Sequence, residues 1–322
     1  MSAEAISILR ALMRAARLVS LLGGVLLYAL GGGIASYLGT FIDWPVYWLG
    51  QSAVTMLQLS SYLLREYFDR AAQPPFEQVA RRRKNPAPPP GTPDGTPTGE
   101  DSPETVEIIV PRLIFFQVAA ATLTVGAVLT VLLFNAGALN PAAFTFIGIA
   151  FALAIAYAVP PFRLVYSGYG ELVLAILVAN LFPALAYLLQ VGELHRLLAL
   201  LTFPLTFLFL AAALALSLQR YMEDIRRERA TMLVRMGWQR GMALHNALVA
   251  LGYVVLAIFV IAGLPFHLAF PGFLSLPVGV FQIWQMNGIA AGGKPRWRLL
   301  AITALATVGL TVYFMNLALW TG

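Results

Sequence analysis

The sequence predicts an all-α polytopic membrane protein with nine transmembrane helices. Composition is the first reason. Of the 322 residues, 59% are hydrophobic and only 11% charged, whereas a soluble domain carries roughly 25% charged residues. Mean hydropathy is +0.77. A chain this apolar has more surface than a folded interior can hide, so lipid must cover it. The second reason is the spacing of its apolar runs. The third is the placement of its cations.

Residues 1–17 carry Ile6, Leu9, Leu12 and Met13 among Arg10, Arg14 and Arg17. That pattern predicts an interfacial helix leading into the first span. Spans need about 20 largely apolar residues. Nine runs qualify: 18–39, 45–66, 112–134, 141–160, 171–190, 197–219, 241–263, 268–286 and 299–320. Pro271 and Pro277 make the eighth the weakest. With an inside N-terminus, 20 of the 21 Lys and Arg residues fall in inside segments, and only Arg196 falls outside. Adding or dropping one helix would scramble that partition. The expected topology has the N-terminus and the charged loops cytoplasmic and the C-terminus outside, in the cytoplasmic membrane if the source is bacterial. Trp44, Trp48 and Trp320 then fall near the outer interface.

The chain reads as one membrane domain, 1–322, with a single low-complexity interruption. Residues 74–107, rich in Pro, Gly and Thr, have too little apolar content to pack and read as a mobile cytoplasmic loop. Several functions are excluded. Without cysteine there are no disulfides and no thiolate chemistry. His195, His245 and His267 lack metal-ligand spacing. No phosphate-binding glycine loop, dinucleotide fingerprint or nucleophile elbow is present. The net charge of +6 is an orientation signal and does not point to nucleic acid.

Charge concentrates in two places beside apolar runs. The second span ends in Leu64-Arg65-Glu66-Tyr67-Phe68-Asp69-Arg70. Glu66 and Asp69 share a helical face, and acidic groups beside lipid need a partner, an ion or a wet cavity. They suit a divalent cation, or Arg65 and Asp69 form an i,i+4 pair. The sixth span runs into Gln219-Arg220-Tyr221-Met222-Glu223-Asp224-Ile225-Arg226-Arg227-Glu228-Arg229. On a continuing helix, Asp224 and Glu228 would share a face, and Arg220 and Arg227 could pair with Asp224. The two clusters lie about 155 residues apart, on the same expected side, as an internal repeat would place them. Mg²⁺ is typically held by one or two carboxylates plus substrate phosphates, and arginine matches phosphate bidentately. Two carboxylate pairs with arginines between them therefore suit an Mg²⁺-bound diphosphate. A third stretch, Tyr157 to Glu171, holds Pro160-Pro161, Arg163, Gly168 and Gly170 in the loop after the fourth span. Gln51, Gln58, Asn180, Gln282 and Gln285 read as groups that join helices by hydrogen bonds. Gly31-Gly32-Gly33 reads as close helix packing.

These stretches resemble a family. Tyr157–Glu171 is similar to the Tyr-x-x-Pro-Pro…Arg-Leu-x-Tyr-x-Gly-x-Gly-Glu segment of UbiA-superfamily membrane prenyltransferases, most like the menaquinone-type (1,4-dihydroxy-2-naphthoate) branch. Asp224 to Arg229 resembles the second acidic motif, Thr231 to Gly237 the segment after it, and Glu66-Tyr67-Phe68-Asp69 the first acidic motif. Departures are visible. Arg65 stands where the family has Asn, Glu66 and Glu228 where it has Asp, and Gln73 near a further Asp. The resemblance implies nine helices around a central cavity that opens to the cytoplasmic side. It implies Mg²⁺ at Glu66, Asp69, Asp224 and Glu228, the last three acting as catalytic residues. Arg163, Arg65, Arg229, Tyr157, Tyr166, Tyr67 and Asn180 would contact substrate. The implied partners are a prenyl diphosphate, a lipophilic or aromatic acceptor and membrane lipids. The altered first motif raises the alternative of a catalytically silent lipid- or quinone-binding member, partnered in a membrane complex.

Overall fold

The computed structural model describes residues 3–71 and 111–322. The Pro-rich loop expected at 74–107 lies outside the described residues. Among those described, every regular element is helical. The elements are α1 (Ala3–Ala16), α2 (Leu18–Tyr37), α3 (Trp44–Ala71), α4 (Arg112–Asn135), α5 (Pro141–Ala158), α6 (Gly170–Val191), α7 (Arg196–Leu218), α8 (Tyr221–Arg226), α9 (Met232–Met236), α10 (Trp238–Ile261), α11 (Phe266–Phe273), α12 (Leu276–Ala290) and α13 (Trp297–Thr321).

Eight stretches of the described chain are long and apolar enough to cross a membrane: α2, α4, α5, α6, α7, α10, α11 with α12, and α13. The expected span 45–66 is the exception. It lies in α3, a 28-residue helix of ample length that falls short on apolar content. Its polar residues face inward. Gln51, Gln58, Ser60 and Ser61 are all buried. The Gln58 amide donates to the Ser20 carbonyl at 3.0 Å and to the Tyr62 hydroxyl at 3.0 Å. A helix that buries its polar groups against neighbours can be amphiphilic without presenting them to lipid; α3 packs extensively along α4, although Gln51 Oε1 and Ser60 Oγ are buried without a hydrogen-bond partner among the described residues.

Proline accounts for the two-part eighth span. Pro271 stays within α11, while Pro277 sits in the first turn of α12, where its missing N–H costs nothing. The break at Ser275 is sealed by side chains. Ser275 Oγ donates to the Gly272 carbonyl at 2.7 Å and meets Tyr253 and Thr311 hydroxyls at 2.8 and 2.5 Å. A second polar chain joins α10, α12 and α13, where His245 contacts Gln282 at 2.9 Å and Thr307 donates to Gln282 at 3.0 Å. Gln285 donates to Thr303 at 3.2 Å. These residues fasten helices together, as expected of polar groups within spans.

The triple glycine of α2 is a packing surface. A Cβ on Gly31 would lie 2.0 Å from the Pro183 carbonyl oxygen of α6, and one on Gly32 2.7 Å from the Tyr47 ring. The Pro183 contact is backbone and cannot swing aside. Gly31→Ala is therefore expected to separate α2 from α6 and destabilise the fold by about 1–3 kcal/mol, read as a lowered thermal midpoint in detergent.

One end of the bundle carries an aromatic cluster, where Trp44 at the start of α3 stacks on Trp320 at the end of α13, centroids 5.8 Å apart. The other end carries the charge. There the C-termini of α3, α5 and α7 converge with the N-terminus of α2, because the chain returns to this end after every second long helix.

Candidate active site

Asp69 lies in the last turn of α3 and is buried, at 9% exposure. Three arginines from three segments surround it. Arg163 Nη2 donates to Oδ1 at 2.6 Å, Arg229 Nη2 to Oδ2 at 3.2 Å, and Arg65 Nε lies 3.6 Å from Oδ2. The Tyr166 hydroxyl also donates to Oδ2, at 2.5 Å. The Tyr166 ring is the common floor of these cations. The guanidinium carbons of Arg65, Arg163 and Arg229 lie 5.4, 5.0 and 5.0 Å from its centroid, within the range of cation–π attraction.

Asp224, in α8 and also buried, is the second acidic group. Arg229 reaches it through Nη1 at 3.5 Å while holding Asp69 through Nη2. A guanidinium is a rigid planar fork, so one side chain spanning both carboxylates keeps their nearest oxygens within about 10 Å of each other. Burial raises the Asp224 carboxyl above the usual range, and the neighbouring Arg229 charge only partly offsets it. Burial likewise raises the Tyr166 phenol.

Local sequence explains the convergence. Arg163 adopts a left-handed backbone, φ 36°, just past the Pro160-Pro161 helix stop. Gly168 is also left-handed, φ 85°, and an added Cβ would lie 2.3 Å from Arg235 Cδ. Only glycine both accepts that backbone and lets Arg235 of α9 lie across it. Glu171, in the first turn of α6, accepts from the Ser217 hydroxyl and from the Met232 N–H, each at 3.3 Å. It thereby ties α6 to the end of α7 and the start of α9. Two stretches singled out in the sequence, around Arg163 and after Asp224, are thus packed against one another.

Several expectations need correction. Asp224 and Glu228 do not share a helical face. The helix ends at Arg226, and Glu228 is exposed with a left-handed φ of 51°. No side-chain partner holds it among the described residues. Neither Arg220 nor Arg227 pairs with Asp224. Arg227 bonds Glu223 at 3.0 Å, and Arg229 takes Asp224. Glu66 is engaged by Arg70 at 2.8 Å, four residues along α3. The Arg65–Asp69 pair read as an alternative to a cation site is present. Tyr67 packs on Phe68 and Phe116, at 5.0 and 5.2 Å. Tyr157 is buried at the end of α5. Asn180 lies in a π-helical stretch of α6 and gives its amide to Thr206 of α7 at 2.6 Å.

Asp69 opens onto a cavity of about 530 Å³. Asp69, Glu66, Arg65 and Arg229 line it, together with residues not expected at the site from the sequence: Tyr62, Arg70, Arg220 and, from the N-terminal segment, Arg14 and Arg17. Tyr62 was accessible to pattern reading, since Tyr62, Arg65, Glu66 and Asp69 follow i, i+3, i+4, i+7 on one face of α3. For Arg14 and Arg17 no local pattern exists, because only the tertiary fold brings α1 beside α3.

The model of the UbiA prenyltransferase family matches residues 111–288. No curated protein sequence matches the chain. Among solved structures, a UbiA homologue from Archaeoglobus fulgidus bound to GPP and Mg²⁺ superimposes with a TM-score of 0.62 at 15% identity, covering 97% of this chain and 99% of that one. The same homologue bound to DMAPP and Mg²⁺ gives 0.57 at 15% identity, with 97% and 99% covered. A structure of digeranylgeranylglyceryl phosphate synthase gives 0.58 at 13% identity, with 100% of each chain covered. At these identities the structural likeness establishes the fold.

Proposed function

The chain belongs to the UbiA prenyltransferase family, and from that premise we propose that it transfers an isoprenyl group within the membrane, from a prenyl diphosphate to an aromatic or other lipophilic acceptor. One observation carries the reading. Asp69 and Asp224, from separate helices, are held by one guanidinium, and Asp69 and the bridging Arg229 line an arginine-rich cavity.

The donor set fits Mg²⁺. Among the described residues no group of three or more His, Cys, Asp or Glu side chains converges to hold a metal by protein alone. Two facing carboxylates leave the remaining positions to substrate phosphates, as Mg²⁺ prefers. Asp69 and Asp224 would hold the ion, and when bound it would neutralise charge developing on the departing diphosphate. Glu66 and Glu228 are the reserve carboxylates of the two motifs. The guanidiniums of Arg65, Arg163 and Arg229 would take phosphate oxygens by charge-assisted hydrogen bonds. Tyr166 orients all three and offers a π face near the ionising allylic carbon. Tyr157, Tyr67 and Asn180 would shape the wall behind the tail. The resemblance to the menaquinone-type branch makes a quinone precursor the first acceptor to try. The same reading places nine helices across the bilayer with α3 among them, the cavity and N-terminus cytoplasmic and the C-terminus outside.

A second reading, a silent lipid- or quinone-binding member, has its own observation. Both Asp69 oxygens are occupied by arginine or tyrosine, and Glu66 is paired with Arg70. The test is direct. Purified protein with Mg²⁺, radiolabelled prenyl diphosphates and a panel of quinone precursors and glyceryl phosphates is expected to form labelled lipid, and Asp224→Asn is expected to form none. Binding of the diphosphate without transfer to any acceptor would favour the silent reading.

A further inference from the structure

The cavity holds more positive charge than the clamp uses. Seven arginines line it against three carboxylates. Four of the seven have carboxylate partners, in the pairs Arg65–Asp69, Arg229–Asp69, Arg70–Glu66 and Arg227–Glu223. Arg14, Arg17 and Arg220 have none among the described residues. Arg14 and Arg220 are exposed and reach water. Arg17 is half-buried. It occupies the junction of α1 and α2 with a left-handed φ of 48°, a backbone disfavoured for a side-chain-bearing residue. Its guanidinium lies over the Tyr62 ring at 5.7 Å, and Tyr62 lines the cavity. The positive charge of Arg65, and then burial, lower its proton affinity to about 10. The positive charge of Arg220 acts on Arg17 in the same direction, and Arg14, Arg17 and Arg220 all line the one cavity.

We propose that Arg14, Arg17 and Arg220 form a second phosphate-class anion site in this cavity, which holds a phosphate headgroup while the Asp69–Asp224 clamp holds the donor's diphosphate. The proposal rests on the clamp reading above for the second half of that statement only. Several features favour phosphate as the occupant. Three guanidiniums from two chain segments suit a multiply charged tetrahedral oxyanion. The volume of about 530 Å³ lies in the range of about 300–1,000 Å³ that takes a whole drug-sized ligand, so a diphosphate head does not fill it. Two of the three arginines come from the amphipathic N-terminal segment, the part of the chain suited to lie at the headgroup level. The phosphate belongs either to the acceptor's own headgroup or to an anionic lipid of the bilayer. In the first case the acceptor is a phosphate-bearing lipid precursor.

The test uses the full chain in phosphatidylcholine nanodiscs, with inorganic pyrophosphate and Mg²⁺ at saturation, titrated with glycerol phosphate by calorimetry. A second saturable event is expected. Its Kd should rise about tenfold or more in Arg14→Gln/Arg17→Gln, while pyrophosphate binding changes by less than about twofold. Arg220→Gln, on a different element, should weaken it in the same direction and covers the case in which the α1 variants misfold. Repeating the titration in discs that contain phosphatidylglycerol separates the sources. A suppressed event assigns the site to lipid headgroups, and an unchanged one assigns it to the acceptor. The proposal is overturned if no second event occurs, if the arginine variants leave it unchanged, or if benzoate binds as well as the phosphate ester. Absent pyrophosphate binding would instead sink the clamp, while the glycerol phosphate titration still reads Arg14, Arg17 and Arg220.

Discussion

Asp69→Ala is expected to lower prenyl transfer by about 10²–10³-fold, the size of effect seen when one preorganised electrostatic group is lost, and to destabilise the fold as well. The second effect follows from the geometry. Arg65, Arg163 and Arg229 share this carboxylate, and their side chains are only 13%, 26% and 15% exposed. Removing one partner of a buried pair costs about 3–5 kcal/mol when the other is left uncompensated. Water in the cavity reduces that figure here, and three mutually repelling cations increase it. Asp69→Asn keeps the shape and one acceptor oxygen, so it should lose transfer with a smaller fall in thermal midpoint. Transfer assays and thermal unfolding in one detergent check both effects. An Asp69→Ala protein with more than a tenth of the normal transfer rate would contradict the assignment.

The second large effect concerns Arg229, which bridges the two acidic groups and lies over Tyr166. Arg229→Met should weaken binding of the prenyl diphosphate by about ten- to a hundredfold, the worth of one or two charge-assisted hydrogen bonds. Arg229→Lys should recover little of it. An ammonium is a point charge and cannot span two carboxylates as a planar fork does. Equilibrium binding of labelled prenyl diphosphate to the three proteins decides the matter, and full rescue by lysine would show that the bridge is unimportant.

Much of the fold was legible because lipid imposes a simple rule. Apolar runs become helices, and α2, α4, α5, α6, α7, α10 and α13 begin and end within a few residues of the expected spans. The charge pattern also located the right end of the bundle. Gln58 joins α3 to α2 as expected of a polar group within a span, but periodicity could not supply which neighbour it meets. Nor could it locate the end of α8. The spacing of Asp224 and Glu228 suits a continuing helix, but the left-handed turn at Glu228 breaks it and turns the chain so that Arg229 reaches back to Asp69. Tertiary contacts over 94 and 160 residues of sequence separation define the site, and no local pattern encodes them. Charge placement had already put the clusters around Asp69 and Asp224 on one side of the membrane, and the family resemblance joined the stretch around Arg163 to them.

The central claim is that Asp69 and Asp224 act together as a metal-dependent diphosphate clamp. Binding of a labelled prenyl diphosphate to wild type and Asp224→Asn, each with Mg²⁺ and with EDTA, tests it most directly. Wild type should bind tightly with Mg²⁺ and at least about tenfold more weakly in EDTA, and Asp224→Asn should bind weakly in both, the difference of one charge-assisted contact or more. Equal affinity of the two proteins in Mg²⁺, or wild-type binding indifferent to EDTA, would contradict it.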